Sequence, residues 1–213
     1  MQRRYFLKTL LVASVNPYLP TKIENGPFRD GDRVCFIGDS ITHRGLWLHY
    51  LETFYRTRFP ERNIQFINCG IGGDTTGSLL KRLDYDILVH KPTVAVVMIG
   101  MNDSKNEYYQ ESHTEAELNA ERERIVKRYR ADYEKLIKKL KEAGTERLVL
   151  ATPTPYDQTA KVERPIWIGK NDTLKLLADE VRRLAQQWQV PCVDFFMPMN
   201  EANLRFQQTH PSF

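Results

Sequence analysis

Residues 33–45, Arg33-Val34-Cys35-Phe36-Ile37-Gly38-Asp39-Ser40-Ile41-Thr42-His43-Arg44-Gly45, decide how the chain folds. Val34 to Ile37 form an unbroken apolar run, which suits a strand buried on both faces of a parallel sheet. The run stops at Gly38-Asp39-Ser40, and a helical pattern follows. A strand, turn and helix in this order bring the Ser40 hydroxyl to the carboxyl edge of the sheet, where open α/β folds bind their ligands. Ser40 is therefore a candidate nucleophile. Asp39 and Ser40 are equally the residue types that cap helices, and the stretch alone leaves both possibilities open.

Outward from this unit, strands and helices alternate. Residues 46–59 carry Leu48, Leu51, Tyr55 and Phe59 at helical spacing, and Pro60 ends them. A second strand lies in 63–68. Gly70-Ile71-Gly72-Gly73-Asp74-Thr75-Thr76-Gly77 is a glycine-rich turn that opens a helix running through Leu79, Leu80, Leu83 and Ile87. The third strand, 93–99, is almost wholly aliphatic and ends at Gly100-Met101-Asn102-Asp103. A long helix follows over Glu115–Glu142, stopped by Gly144. Its apolar stripe of Ile125, Tyr129, Tyr133, Leu136, Ile137 and Leu140 predicts packing on the sheet, and its interleaved charges predict a solvated outer face. A fourth strand at 147–151, a helix at 172–189 and a fifth strand at 191–196 complete the alternation, which implies a parallel sheet covered on both faces.

Parallel strands place their following turns on one edge. Gly38-Asp39-Ser40, Gly72-Gly73-Asp74 and Gly100-Met101-Asn102-Asp103 are thus expected to converge. A hydroxyl, glycine amides and a neutral side-chain amide are what acyl transfer requires, namely a nucleophile and donors aimed at the developing oxyanion. Other chemistries fit poorly. A dinucleotide fingerprint beginning at Gly70 wants glycine where Thr75 stands, and Gly72 to Ser78 lacks the lysine of a phosphate loop. His43, His49, His90, His113 and His210 form no helical pair with an intervening glutamate, and Cys35, Cys69 and Cys192 have no ligand spacing. No metal or other cofactor is implied. His90 reads as a surface or capping residue.

The chain has 213 residues, of which 41% are apolar and 27% charged, enough for one substantial core. Three of its four net positive charges sit on Arg3, Arg4 and Lys8. The body is nearly neutral, which argues against a nucleic-acid partner. No apolar run reaches bilayer-spanning length. An odd number of cysteines within or beside strand-like segments predicts buried free thiols rather than a disulfide framework. The basic start and short apolar segment of residues 1–15 have the layout of an export signal, with Arg3-Arg4-Tyr5-Phe6-Leu7-Lys8 similar to a twin-arginine address. An ordinary amphipathic helix is the alternative. Residues 1–27 are read as leader and linker, and 28–213 as the folded domain.

Phe36-Ile37-Gly38-Asp39-Ser40-Ile41-Thr42, Asn68 with Gly70-Ile71-Gly72-Gly73-Asp74-Thr75, and Ile99-Gly100-Met101-Asn102-Asp103 resemble, in order and spacing, the first three sequence blocks of the SGNH (GDSL-like) hydrolases. Asn171-Asp172 and Val193-Asp194 extend the resemblance. It implies a flavodoxin-like three-layer α/β/α sandwich with about five parallel strands, and metal-free ester hydrolysis. It also implies a Ser40 nucleophile, an oxyanion hole from the Ser40 and Gly73 amides and the Asn102 side chain, and a turn-supporting role for Asp39.

The family's fourth signature is Asp-x-x-His. The histidine near the end here is His210, and three positions before it stands Gln207, which cannot supply the charge that stabilises an imidazolium. Thr209 to Phe213 instead resembles a segment that relatives carry upstream of their Asp-x-x-His. His210 is the candidate base within the chain, and the alternative is a loop residue with the true pair beyond Phe213. The expected activity is that of an exported serine esterase acting through an acyl-enzyme on small esters, foremost carbohydrate O-acetyl groups. Tyr156 and Trp167 are available either to stack on a sugar or to pack. The alternatives are a lysophospholipase or thioesterase, which would carry a longer apolar channel, and a non-catalytic carbohydrate-binding protein on the same fold.

Overall fold

The computed structural model describes residues 27–110, 112–161, 163 and 165–210. The leader segment, apart from Pro27, and residues 211–213 at the end of the Thr209 to Phe213 resemblance lie outside the described residues. The strands are β1 (Arg33–Gly38), β2 (Gln65–Gly70), β3 (Val94–Met98), β4 (Arg147–Ala151) and β5 (Cys192–Val193). Between and after them come α1 (Ser40–His43), α2 (Leu46–Arg58), α3 (Thr76–Arg82), α4 (Glu115–Glu142), α5 (Lys170–Trp188) and α6 (Phe196–Thr209). All pairings are parallel and the strand order is β2-β1-β3-β4-β5. This is the flavodoxin-like order, in which the chain reverses its direction of travel between β1 and β3.

The apolar run of β1 is continuous because both of its faces are covered. Cys35 and Ile37 turn toward a core shared with α3, α4 and α5, and Val34 and Phe36 toward a second core under α2 with Phe28. Burial of each such side chain contributes about 1.5–3 kcal/mol. The sheet therefore has a helical layer on either side.

Helix α4 begins and ends where its residues dictate. Thr114 and Glu117 form a reciprocal capping box at its start, and Gly144 follows its end at φ 87°. All six residues of the anticipated stripe are buried. Two of them bind the sheet as well, since the Tyr129 hydroxyl donates to the Ile99 carbonyl (2.8 Å) and the Tyr133 hydroxyl to that of Val97 (3.2 Å).

Two segments differ from expectation. The helix after the glycine-rich turn is regular only to Arg82 and continues as a single π-helical turn, Leu83–Ile87. The fifth strand is Cys192–Val193 alone, and the chain then enters α6, which periodicity did not announce. Thr152 and Asp194 make that turn. The Thr152 hydroxyl accepts the Phe195 and Phe196 amides (2.8 and 3.0 Å) and donates to Asp194 Oδ1 (3.0 Å), which also accepts the Met197 amide (3.3 Å).

Candidate active site

Strand register sets Gly38, Gly70 and Met98 side by side at the carboxyl edge. Helix α1 lies down across this edge, and glycine is what permits it. A Cβ at Gly38 would stand 2.2 Å from Thr42 Oγ1 and 2.4 Å from the Met98 carbonyl, and one at Gly70 would stand 2.3 Å from the His43 amide nitrogen. Asn68 then closes the far end of α1. Its Nδ2 donates to the Thr42 and His43 carbonyls (3.0 and 3.2 Å) while its Oδ1 accepts the Gly70 amide (2.9 Å).

The capping role at the start of α1 falls to Asp39, whose carboxylate accepts the Ile41 amide at 2.9 Å. It also accepts the Met101 amide from the third loop. Burial pushes the Asp39 carboxyl above its usual range, the Ile41 amide pulls it back, and the Asp74 charge adds to the rise. Because Asp39 supplies the cap, Ser40 is left as the first helical residue with its hydroxyl unengaged by any described residue.

The second loop comes up against this serine. A Cβ at Gly72 would stand 3.9 Å from Ser40 Cβ, and Gly73 follows at φ 84°. Among the described residues the amides of Ser40 and Gly73 have no hydrogen-bond acceptor, so both remain available to a ligand oxygen. Asp74 holds the loop in place. Its carboxylate receives Arg82 Nε (2.7 Å), Arg82 Nη2 (2.6 Å) and the Ser78 hydroxyl (2.7 Å), and Arg82 Nη2 reaches on to the Cys69 carbonyl (2.7 Å).

The third loop is tied to the second. Asn102 Nδ2 donates one hydrogen to the Asp74 carbonyl at 2.9 Å, which fixes the amide plane and leaves its second hydrogen free for an oxyanion. Asp103 accepts the Thr76 amide (3.0 Å) and hydroxyl (2.6 Å). Lys170, wholly buried at the start of α5, donates to the Met101 carbonyl (2.9 Å) and to Asn106 Oδ1, and its ammonium lies 5.8 and 5.5 Å from the Tyr156 and Trp167 ring centres. The two rings pack on each other at 5.5 Å, and the Tyr156 hydroxyl accepts the Trp167 amide. Of their two anticipated uses, the geometry is that of packing around Lys170.

Burial raises the Asp103 carboxyl from the usual 3.8 to about 6, against the pull of the Thr76 hydrogen bonds. Its folded form therefore holds the proton more tightly than its unfolded form, and between about pH 4 and 6 stability falls as pH rises. In Asp103→Asn that contribution is removed. The unfolding free energy of the variant relative to the native protein is expected to grow across this window by at most about 3 kcal/mol, less to the extent that water reaches the carboxyl, and to stay level above it. Urea unfolding at half-unit pH steps measures the difference, and a flat difference curve would contradict the raised carboxyl.

Among the described residues His210 makes no hydrogen bond with Ser40. It is exposed at the end of α6, where its ring stacks on Phe206 at 4.0 Å and its Nδ1 contacts the Phe206 carbonyl (3.1 Å) and the Thr209 hydroxyl (2.9 Å). Gln207 is bound to Asp157, its Nε2 donating to Oδ2 at 3.0 Å. His43 is closer to Ser40 in sequence, but its Nδ1 is engaged with the Gly70 carbonyl at 3.0 Å. His90 is exposed at the end of a short 3-10 turn. Among the described residues no three His, Cys, Asp or Glu side chains cluster as a metal site would require, and no helix is long and apolar enough to cross a membrane. Arg82 and Lys170 went unnoticed in the sequence because a charged residue in a helical pattern is ordinarily solvated, and no spacing rule marks the exceptions.

The site can be set beside known proteins. A solved structure of a gut microbial diltiazem-metabolizing enzyme is 35% identical with a TM-score of 0.80, over 88% of this chain and 42% of the other. The chain thus spans less than half of that protein. An acetylxylan esterase of Geobacillus stearothermophilus is 26% identical over 202 residues, covering 85% of this chain and 87% of the relative. Its crystal structure superposes with a TM-score of 0.65 at 23% identity, over 82% of this chain and 80% of the other, a likeness in fold. Solved catalytic mutants of that esterase replace one serine, one aspartate and one histidine. The model of the GDSL-like lipase/acylhydrolase family matches residues 36–212. The fold, the three converging loops and this match over most of the length lead to one statement: the chain belongs to the GDSL-like lipase/acylhydrolase family, within the SGNH superfamily of serine ester hydrolases.

Proposed function

We propose that the chain hydrolyses small carboxylic esters, foremost O-acetyl groups on carbohydrate, with Ser40 as nucleophile and the Ser40 amide, the Gly73 amide and the Asn102 side chain as oxyanion donors. The observation that carries this reading is the unengaged Ser40 hydroxyl beside a glycine turn whose amide is free, with Asn102 Nδ2 clamped to the same turn at 2.9 Å. In the reaction Ser40 Oγ bonds to the ester carbonyl carbon and gives its proton to a base. The tetrahedral oxyanion collapses to an acyl-enzyme as the protonated alcohol leaves, and water repeats the sequence to release the acid.

The acetyl preference draws on the acetylxylan esterase relative. Ser40 opens on a depression of about 370 Å³ lined with Ile41, Arg44, Leu46 and Trp47. The stacking of His210 on Phe206, with Gln207 three positions before it, supports a base other than His210. Residues 1–27 are proposed as a leader directing export of a 28–213 domain.

Chromogenic esters test the reading. Turnover of 4-nitrophenyl acetate is expected to exceed that of the butyrate, with the octanoate lower by about tenfold or more, each methylene that lacks a pocket forgoing transfer energy. Equal or rising rates with chain length would favour the lipase or thioesterase alternative. No Ser40-dependent turnover of any ester, in this chain or in a longer form carrying the fourth signature, would favour a binding protein.

A further inference from the structure

Among the groups around Ser40, Arg44 has no use in the chemistry described. Its backbone is fixed, since the Arg44 amide donates to the Ser40 carbonyl at 3.0 Å and the preceding carbonyls of Thr42 and His43 are held by Asn68. Residues four apart in a helical turn project from the same face, so the guanidinium leaves α1 on the side of the Ser40 hydroxyl. The side chain is exposed and lines the depression, and no described residue bonds to or pairs with it. Most other exposed arginines of the described chain have a carboxylate partner, as Arg56 has Glu52 and Arg124 has Glu121. An unpaired guanidinium one turn from a nucleophile, at the wall of a depression far larger than an acetyl group, faces the rest of the substrate.

The remaining wall indicates what that rest is. Gly45, left-handed at φ 69°, separates α1 from α2, whose first residue Leu46 lines the depression. Leu46 and Tyr50 stand one above the other on α2 and are 68% and 70% exposed, with Phe54 one turn further at 40%. Steps of four residues along a helix are about 6 Å apart. The stripe therefore offers apolar side chains, two of them aromatic, at intervals near the repeat of a pyranose chain. Trp47, at the base, is held by Phe36 and Phe195 with ring centres at 5.1 and 6.1 Å.

We infer that Arg44, with the Leu46 and Tyr50 face of α2, forms a subsite for an acidic carbohydrate, the guanidinium pairing with a uronate carboxylate on the sugar chain that bears the ester. This rests on the esterase reading only for the identity of Ser40 as the point of attachment. A guanidinium presents a planar two-pronged donor set that matches a carboxylate, and an apolar ring face suits the C–H face of a sugar. The acidic group belongs to the leaving alcohol.

Binding without turnover tests it. Ser40→Ala protein is titrated, with tryptophan emission or calorimetry as readout, against a glucuronate-substituted xylo-oligosaccharide and the unsubstituted oligosaccharide of equal length. The acidic chain is expected to bind about fivefold more tightly, the ratio an exposed charge pair supports. Arg44→Gln in the same background is expected to erase the ratio at an unchanged unfolding midpoint, Arg44→Lys to keep part of it, and Tyr50→Ala to weaken both ligands alike. No preference, or a preference that survives Arg44→Gln, would overturn the inference, as would displacement of the acidic chain by equimolar sodium sulfate, the mark of an unselective anion site. Failure of the esterase reading would show separately, as ester turnover indifferent to Ser40 with the binding ratio intact.

Discussion

In whichever form turns over 4-nitrophenyl acetate, this chain or a longer one carrying the fourth signature, replacing Ser40 by alanine is expected to lower hydrolysis by at least about a thousandfold, toward the rate in buffer, and to abolish covalent labelling by a fluorophosphonate. The fold should not notice the change. Asp39, not Ser40, caps α1, and no described residue hydrogen-bonds to the Ser40 hydroxyl, so its removal strands no partner. Circular dichroism and the urea midpoint are expected to coincide with those of the native chain, within the ±0.5 kcal/mol or so typical of such surface changes. Turnover that persists in Ser40→Ala would remove the nucleophile assignment. His210→Ala in the same assay is expected to cost less than about tenfold, because its ring is spent on Phe206 rather than on the serine. A loss as large as that of Ser40→Ala would return His210 to the role of base.

The largest effect on stability is expected at Arg82. Its guanidinium and the Asp74 carboxylate keep only 6% and 8% of their side-chain surfaces in water, and the arginine also serves Asp86 and the Cys69 carbonyl. Arg82→Met would leave a buried carboxylate without its counter-charge, a change that costs about 3–5 kcal/mol. For a domain whose whole stability is of the order of 5–15 kcal/mol, that is a substantial fraction. Asp74→Asn added to Arg82→Met is expected to recover part of the loss, since the stranded charge is then gone. Equilibrium urea unfolding of the single and double variants gives the coupling, and additivity of the two losses would show that the pair does not act as one. The same variants should reach the site chemically. Asp74 carries the carbonyl that holds Asn102, so an unpinned turn displaces a proposed oxyanion donor.

These two residues mark the boundary of what could be read in advance. Ser40 and Asn102 announce themselves because each follows an aliphatic strand whose apolar run breaks into glycine and polar residues, and Gly73 because it lies in a glycine-rich turn after β2; parallel pairing then brings the three turns to one edge. The limits of α4 were legible because Thr114, Glu117 and Gly144 are local signals that need no tertiary partner. Arg82 and Lys170 were not, since their burial depends on Asp74 and Cys69 in one case and on Met101 and Asn106 in the other, contacts that no local pattern encodes. Helix α6 escaped for a related reason. It contains Pro198, has no side-chain cap and buries only Phe196, so neither a terminal signal nor an apolar stripe outlines it.

Most of the hydrogen bonds that knit the site run between Asp39 and Ser104, from the Met101 amide on Asp39 to the Thr76 pair on Asp103. During synthesis all of these partners have left the ribosome before α4 begins at Glu115, whereas the tyrosines that brace β3 from above arrive only with that helix. Most of the polar arrangement around Ser40 is thus written into the first half of the nascent chain, with Lys170 joining it later through the Met101 carbonyl, and the later strands extend the sheet away from it. The three groups proposed as oxyanion donors can accordingly take their places before β4, β5 and their loops are made.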